Sequence, residues 1–213
     1  MPVLSSSLTD AVRIHQPQVG LLPLRGREDE LAHMDDRLGA LARWQGSVVL
    51  VEGPSGFGKS RLLGEALLRA RRQGVRTVSA TGDALSRAVS LGLLLEALSR
   101  GTGRLLDLDV LQRLATEPGQ RFRLLDELQA RLLEAAAGEP LVIALDDVHW
   151  ADPVTLMALR ALPPQLAAQP ICWLLARRAG AGGAGLHRTM SRLRDAGAST
   201  IRLEPPLSMA ARR

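Results

Sequence analysis

The sequence predicts an α/β protein built on a five-stranded parallel sheet with helices on both faces. Three observations lead there: five short apolar runs, amphipathic stretches of helical period between them, and a glycine-rich loop set between the first run and the helix that follows. At 213 residues, 46% of them hydrophobic, the chain is long enough for one α/β domain with a sizeable core and needs no second.

The elements follow in order. Residues 1–20 carry Ser5, Ser6, Ser7 and Pro17 with little periodicity and are expected to be a mobile tail. Across 28–44, Leu31, Met34, Leu38 and Leu41 recur at spacings of three and four, which predicts an amphipathic helix. SVVLVE (47–52) is apolar and β-branched and ends at Gly53, so it reads as a buried first strand. Residues 59–73 place Leu62, Leu63, Ala66, Leu67 and Ala70 on one helical face, and Gly74 stands where a left-handed cap is expected. RTVSAT (76–81) predicts a second strand, 91–98 a helix, 101–119 a variable connection, and 122–137 a helix stopped by Gly138 and Pro140. LVIAL (141–145) is the third strand. Asp152 and Pro153 form a cap and first-position pair for a helix that should end or bend by Pro163. ICWLL (171–175) is the fourth strand and TIRL (200–203) a weaker fifth.

Composition excludes several functions. The formal net charge is +5, but the arginines lie along helical segments with Asp and Glu among them, the pattern of a solvated surface rather than a nucleic-acid face. The single cysteine, Cys172, has no partner for an internal disulfide or a metal site, which points to a reducing, cytoplasmic compartment. No apolar stretch is long enough to span a bilayer, and the N-terminus lacks the basic flank and apolar core of an export signal. The histidines, His15, His33, His149 and His187, show no metal-ligand spacing.

The chemistry concentrates in GPSGFGKS (53–60). Of the 27 basic side chains, 26 are Arg and one is Lys, and that one is Lys59. Where guanidinium is used everywhere else, a lone ammonium implies that a compact point charge is required. Gly53 and Gly58 are expected to supply torsions closed to other residues, so that backbone N–H groups turn inward around phosphates. The positive end of the following helix adds to that anion site. Gly53, Pro54, Ser55, Gly56, Phe57, Gly58, Lys59, Ser60 and Arg61 are thus the candidates for binding a nucleoside triphosphate, ATP with Mg²⁺. Lys59 should reach the β- and γ-phosphates and the Ser60 hydroxyl should ligate Mg²⁺. A Mg²⁺ site also needs a carboxylate at the end of a neighbouring strand, and Asp146 after LVIAL supplies one. Asp147, one residue on, is placed to polarise an attacking water; its plainer reading is a surface acid.

Four further features divide between function and structure. His149 is read as a hydrogen-bonded structural residue, with nucleotide sensing as the alternative, and Asp152 as a helix cap rather than an acid catalyst. Arg177 and Arg178 close the fourth strand, where one of them is placed to distinguish triphosphate from diphosphate. GAGGAG (180–185) matches a dinucleotide fingerprint, with Glu204 at a tolerable distance. Three or more residues are expected between the strand end and Gly180, however, and a window of Gly and Ala matches by composition, so it is read as a flexible loop.

GREDEL (26–31), GPSGFGKS, LVIALDDVHWAD (141–152) and LLARR (174–178) together resemble one family, the ATPase domain of the large ATP-binding LuxR-type transcriptional regulators, within the STAND branch of AAA-related P-loop proteins. The likeness spans about residues 21–206 and is most specific in the DDxHWAD stretch. It implies a P-loop NTPase core in which the strand ending at Arg178 lies between those ending at Gly53 and Asp146. It also implies that Gly26 and Arg27 lie near the adenine, that Asp146 is the Mg²⁺ acid, that Asp147 is the hydrolytic acid, and that Arg178 rather than Arg177 is the sensor. PLSMAARR (206–213) resembles the start of a helical lid, so residues 207–213 are expected to be a truncated lid and the chain a fragment. By the same likeness DNA is a partner only through a C-terminal region absent from this chain, and a homo-oligomer is expected on activation. The alternatives are the ATPase module of another signalling enzyme, fused to a cyclase or protein kinase, or a stand-alone P-loop ATPase.

Overall fold

The computed structural model describes residues 26–101, 108–117 and 119–204. The expected tail over 1–20 and the lid start over 207–213 lie outside them. In chain order the elements are α1 (Glu28–Leu41), β1 (Ser47–Gly53), α2 (Lys59–Arg72), β2 (Arg76–Thr81), α3 (Gly92–Gly101), α4 (Leu108–Thr116), α5 (Arg121–Ala136), β3 (Leu141–Asp146), a single 3₁₀ turn (Val148–Trp150), α6 (Pro153–Gln165), β4 (Ile171–Arg178), α7 (Ala184–Asp195) and β5 (Ser199–Arg202).

The strands form one sheet in the order β2-β3-β4-β1-β5, every pair parallel. Alternation along the central strands builds two cores, one on each face. Leu50, Ile143, Leu145, Trp173 and Leu175 face the layer that holds α3, α5, α6 and α7. Val49, Val51, Val142, Ala144, Cys172 and Leu174 face α1 and α2. Burial on both faces explains why β1, β3 and β4 read as continuous apolar runs rather than alternating ones. Cys172 is wholly buried, accepts a hydrogen bond from the Ser47 hydroxyl at 3.3 Å, and is pushed up to about 11 by that burial.

Three expectations need correction. The connection over 101–119 contains a helix, α4, which buries Leu111 and packs on α5. Its two turns are too short for periodicity alone to reveal. Of the end or bend expected by Pro163, the end does not occur: helix α6 runs through Pro163 and Pro164 to Gln165, with Leu166 N–H still donating to Leu162 O at 2.9 Å. Both prolines sit in its last turn, so only the carbonyls of Leu159 and Arg160 lose their i+4 donors. Finally, β4 extends to Arg178, so only Ala179 separates the strand from Gly180, and α7 starts at Ala184, inside the GAGGAG stretch. Edge-to-edge pairing with β1 carries the strand past its apolar core: Glu52 lies opposite Arg177 and Gly53 opposite Arg178.

Candidate functional site

The site forms at the C-terminal edge of the sheet, where β1, β3 and β4 end. Between β1 and α2 the loop over 53–60 turns through Gly56 and Gly58, with φ of +81° and +84°, in open space where no atom lies near a would-be Cβ. These two glycines, not Gly53, adopt the left-handed torsions. Gly53 is needed for a different reason, because a Cβ there would come within 3.0 Å of Leu203 Cβ and of Leu203 O. Pro54, Ser55 and Gly56 are exposed, Phe57 is half-buried against the α1/α2 core, and Arg61 is exposed on α2.

Gly58 caps α2 with no side-chain acceptor, and the first intrahelical bond runs from Leu62 N–H to Gly58 O. The N–H groups of Lys59 and Ser60 therefore have no intrahelical acceptor and, with the helix end, favour an anion. Lys59 folds back over the loop, 7% exposed, and its Nζ donates to Pro54 O at 2.8 Å.

Opposite the loop, Asp146 is 6% exposed and is hydrogen-bonded to the Ser60 side chain. Burial raises its carboxyl above the usual carboxylate range; the Ser60 bond opposes this, the charge of Asp147 adds to it, and the Asp147 N–H and Lys59 charge oppose it again. Asp147 takes the left-handed conformation, φ +48°, rare for a residue with a side chain. Its N–H donates to Asp146 Oδ1 at 2.8 Å and its carbonyl accepts from Trp150 N–H at 3.0 Å. Gly82 makes room for it, since a Cβ there would come within 2.7 Å of Asp147 O. The turn leaves the Asp147 carboxylate about a third exposed, 3.6 Å from His149 Nδ1, a buried atom without a hydrogen-bond partner. Burial holds the His149 imidazole below its ordinary range; Asp147 pulls it up, while Lys59 and Arg178 push it down. His149 thus sits among the charges of the site without a hydrogen bond of its own at Nδ1.

The two arginines at the end of β4 separate in the structure. Arg177 is buried and its Nε donates to Glu52 Oε1 at 2.9 Å, while Arg194 of α7 donates to the same oxygen. Arg178 is exposed, beside Gly53 in register, and Ala179 N–H donates to Gly53 O at 3.1 Å. The Glu52–Arg177–Arg194 cluster was not anticipated from sequence. Glu52 was visible as a charge closing an apolar strand, but its partners lie 125 and 142 residues away.

Arg27 is buried and hydrogen-bonded on three sides. It is 9% exposed and binds Glu30 Oε1 at 2.6 Å, Glu204 O at 2.6 Å and Phe57 O at 3.5 Å, so it ties α1 and the end of β5 to the glycine loop. Gly26, φ +69°, is exposed beside it. Asp152 is the α6 cap: its Oδ1 accepts from Val154 N–H at 2.8 Å, Thr155 N–H at 3.1 Å and Leu91 N–H at 3.0 Å.

The donor set suits a phosphate-bound Mg²⁺ rather than a metal held by protein alone. Among the described residues no group of three or more His, Cys, Asp or Glu converges. One hydroxyl and one carboxylate beside an anion cradle match an ion that keeps several waters and takes phosphate oxygens.

Comparisons with known proteins agree with this fold. A family model described as an AAA ATPase domain matches residues 23–174. An uncharacterised protein of Rhizobium meliloti (strain 1021) is 29% identical over 167 residues, covering 62% of this chain and 16% of its own length. Among solved structures, Cdc6p from Pyrobaculum aerophilum superposes with TM-score 0.59 at 19% identity, over 89% of this chain and 48% of that one. The Aeropyrum pernix ORC1 protein, solved in complex with DNA, gives 0.58 at 16% identity, over 92% and 52%. The replication initiator DnaA bound to AMPPCP and single-stranded DNA gives 0.52 at 16% identity, over 86% and 48%. The chain therefore spans about a sixth of the curated relative and about half of these solved chains. Among the described residues no helix is long and apolar enough to cross a membrane.

Proposed function

Since the chain belongs to the AAA ATPase domain family, we propose that it is the ATP-dependent switch of a LuxR-type transcriptional regulator of the STAND branch, acting in the cytoplasm, binding Mg·ATP at residues 53–61 and hydrolysing it slowly. One observation carries the reading: Ser60, in the first turn after the glycine loop, is hydrogen-bonded to Asp146 of β3, with the exposed Arg178 ending the intervening strand β4 opposite Gly53.

In this reading Lys59 would turn from Pro54 O to the β- and γ-phosphate oxygens, and Ser60 and Asp146 are the residues that would hold Mg²⁺. Bound Mg²⁺ supplies neutralisation of charge across the phosphates. Asp147, turned outward by its left-handed backbone, accepts a hydrogen bond from the attacking water. Arg178 reports the γ-phosphate. Gly26 and Arg27 set the adenine end of the site, with Arg27 coupling it to the loop through Phe57 O. The domain is taken as 21–206, with a homo-oligomer on activation and DNA recognition by a region outside these 213 residues.

Slow turnover is expected because Asp is a short-armed base and no arginine from a neighbouring subunit completes the site of an isolated chain. The test combines titration of a fluorescent ATP analogue, steady-state phosphate release and a gel shift at physiological salt. Mg²⁺-dependent binding, turnover well below ~1 per second and no sequence-specific DNA complex are expected. Faster turnover would favour a dedicated enzyme, and a specific shift would place a DNA-binding surface within this chain.

A further inference from the structure

Where β2 ends, its backbone meets the turn that carries Asp147. The β2–β3 pairing runs to Thr81 opposite Asp146, and the next N–H, that of Gly82, still donates to Asp146 O at 2.9 Å. This leaves Gly82 buried beside the Asp147 carbonyl: an added Cβ would stand 2.7 Å from Asp147 O and 3.2 Å from Trp150 Cβ. We propose that Gly82 is a positioning residue for hydrolysis, whose missing side chain lets the Asp147 turn close and so sets the aim of the Asp147 carboxylate. The inference rests on the reading of Asp147 as the acid that engages the attacking water.

Gly82 does not take a positive φ, so its own backbone would accept any residue, and only the close approach of Asp147 calls for glycine. The strain lies across the gap. Asp147, at φ +48°, holds a conformation that is costly for a residue with a side chain and that persists only where its surroundings impose it. Two hydrogen bonds do so, from its N–H to Asp146 Oδ1 at 2.8 Å and from Trp150 N–H to its carbonyl at 3.0 Å. The second requires the carbonyl to lie in the space that Gly82 leaves.

The β2 side of this contact has little freedom to give way. Gly82 is tied to β3 by its N–H, and Asp83 beyond it is held in a turn whose Ser86 N–H donates to Asp83 Oδ1 at 2.7 Å. The far end of the loop is pinned where the buried Leu91 N–H donates to Asp152 Oδ1 at 3.0 Å. A methyl group at position 82 therefore displaces the Asp147 carbonyl, which has to retreat from 2.7 Å to the 3.4 Å where ordinary contact begins, about 0.7 Å. Asp146 precedes the turn, inside β3, and the glycine loop lies beyond it, so nucleotide binding is spared. Displacements approaching 1 Å at a reacting group cost up to about a hundredfold in rate.

The test compares the parent chain with Gly82→Ala, Asp147→Asn, the double variant, and Gly138→Ala, a control at a glycine with no positive φ and nothing within 4 Å of an added Cβ. Asn tolerates the left-handed torsion and removes only the charge. Folding is checked by thermal unfolding, affinity with a fluorescent ATP analogue, and hydrolysis by release of radiolabelled phosphate in a single turnover. Gly82→Ala should bind within about threefold of the parent yet release phosphate at least about tenfold more slowly. Gly138→Ala should match the parent in both. In the Asp147→Asn background, Gly82→Ala should slow release no further, because residues that act as one unit are not additive. The inference is overturned if Gly82→Ala hydrolyses as the parent does, if it loses affinity and turnover in proportion, if it does not fold, or if it slows release by the same factor in both backgrounds. Parent-like hydrolysis by Asp147→Asn would instead overturn the reading of Asp147 itself, and this inference with it.

Discussion

Lys59→Ala separates nucleotide binding from folding, and the structure sets the size of the effect. Lys59 is 7% exposed and its ammonium donates to Pro54 O at 2.8 Å in the nucleotide-free protein. Turned onto a phosphate oxygen, a unit charge pair at 4 Å is worth about 4 kcal/mol at an effective dielectric of 20. Giving up the bond to Pro54 O costs about 1 kcal/mol. The remaining ~3 kcal/mol corresponds to a loss of affinity of about a hundredfold or slightly more. The assay is thermal unfolding with and without Mg·ATP at a concentration 100 times the parent Kd. The parent should gain about 2.7 kcal/mol, which is ~5–11 °C for a domain of this size. The variant, now with ligand near its Kd, should gain only ~0.4 kcal/mol, under about 2 °C. Without nucleotide the two proteins should melt within about 2 °C of each other, because the lost hydrogen bond is offset by relief of a buried cation. A variant that folds and keeps the full ATP-induced shift would refute the assignment of the glycine loop as the phosphate site.

Three further outcomes are expected. Asp146 is raised above its unfolded range by burial, so the native state binds more protons than the unfolded one between the two values; the stability this contributes is present below the unfolded value near 3.8 and is lost as pH rises through the native one. Asp146→Asn should therefore raise the Tm of the nucleotide-free protein at pH 7, with a gain that shrinks towards pH 4, while removing the Mg²⁺ dependence of ATP binding; a lower Tm at pH 7 would contradict the burial argument. Glu52→Leu strands two arginines, of which Arg177 is buried, and should cost about 3–5 kcal/mol by urea unfolding, whereas Glu52→Leu with Arg177→Met should recover a large part of it; equal losses in both would show that the pair is not coupled. Asp152→Ala removes a helix cap and the acceptor of the buried Leu91 N–H, a combined loss of about 2–5 kcal/mol, with ATP affinity changed less than threefold in the protein that remains folded; a near-neutral effect in the same urea titration would show that water replaces the carboxylate.

Local chemistry made a good part of this molecule readable before its coordinates. A buried strand shows as an apolar run because both faces are covered, so LVIAL and ICWLL announced β3 and β4, and the Asp152–Pro153 pair announced the start of α6. The loop from Gly53 to Ser60 was legible because its torsions, its lone lysine and its helix all lie within a few residues of one another. Ends and partners were less legible. β4 runs to Arg178 because β1 offers it backbone partners, and α6 passes two prolines because they fall in its last turn and leave only two preceding carbonyls without an i+4 donor. Gly53 is a glycine on account of Leu203, 150 residues later, rather than its own torsions. Which of Arg177 and Arg178 faces solvent was decided by Glu52 and Arg194, brought together only when β1, β4 and α7 pack. The room that Gly82 leaves for the Asp147 carbonyl exists only in the packed molecule. Sequence by itself determined the groups that act through their immediate neighbours along the chain, because φ/ψ freedom, capping and burial period are local quantities. The tertiary structure alone decided charge pairing, close backbone approach and empty space, because each depends on atoms that meet through folding and have no trace in spacing.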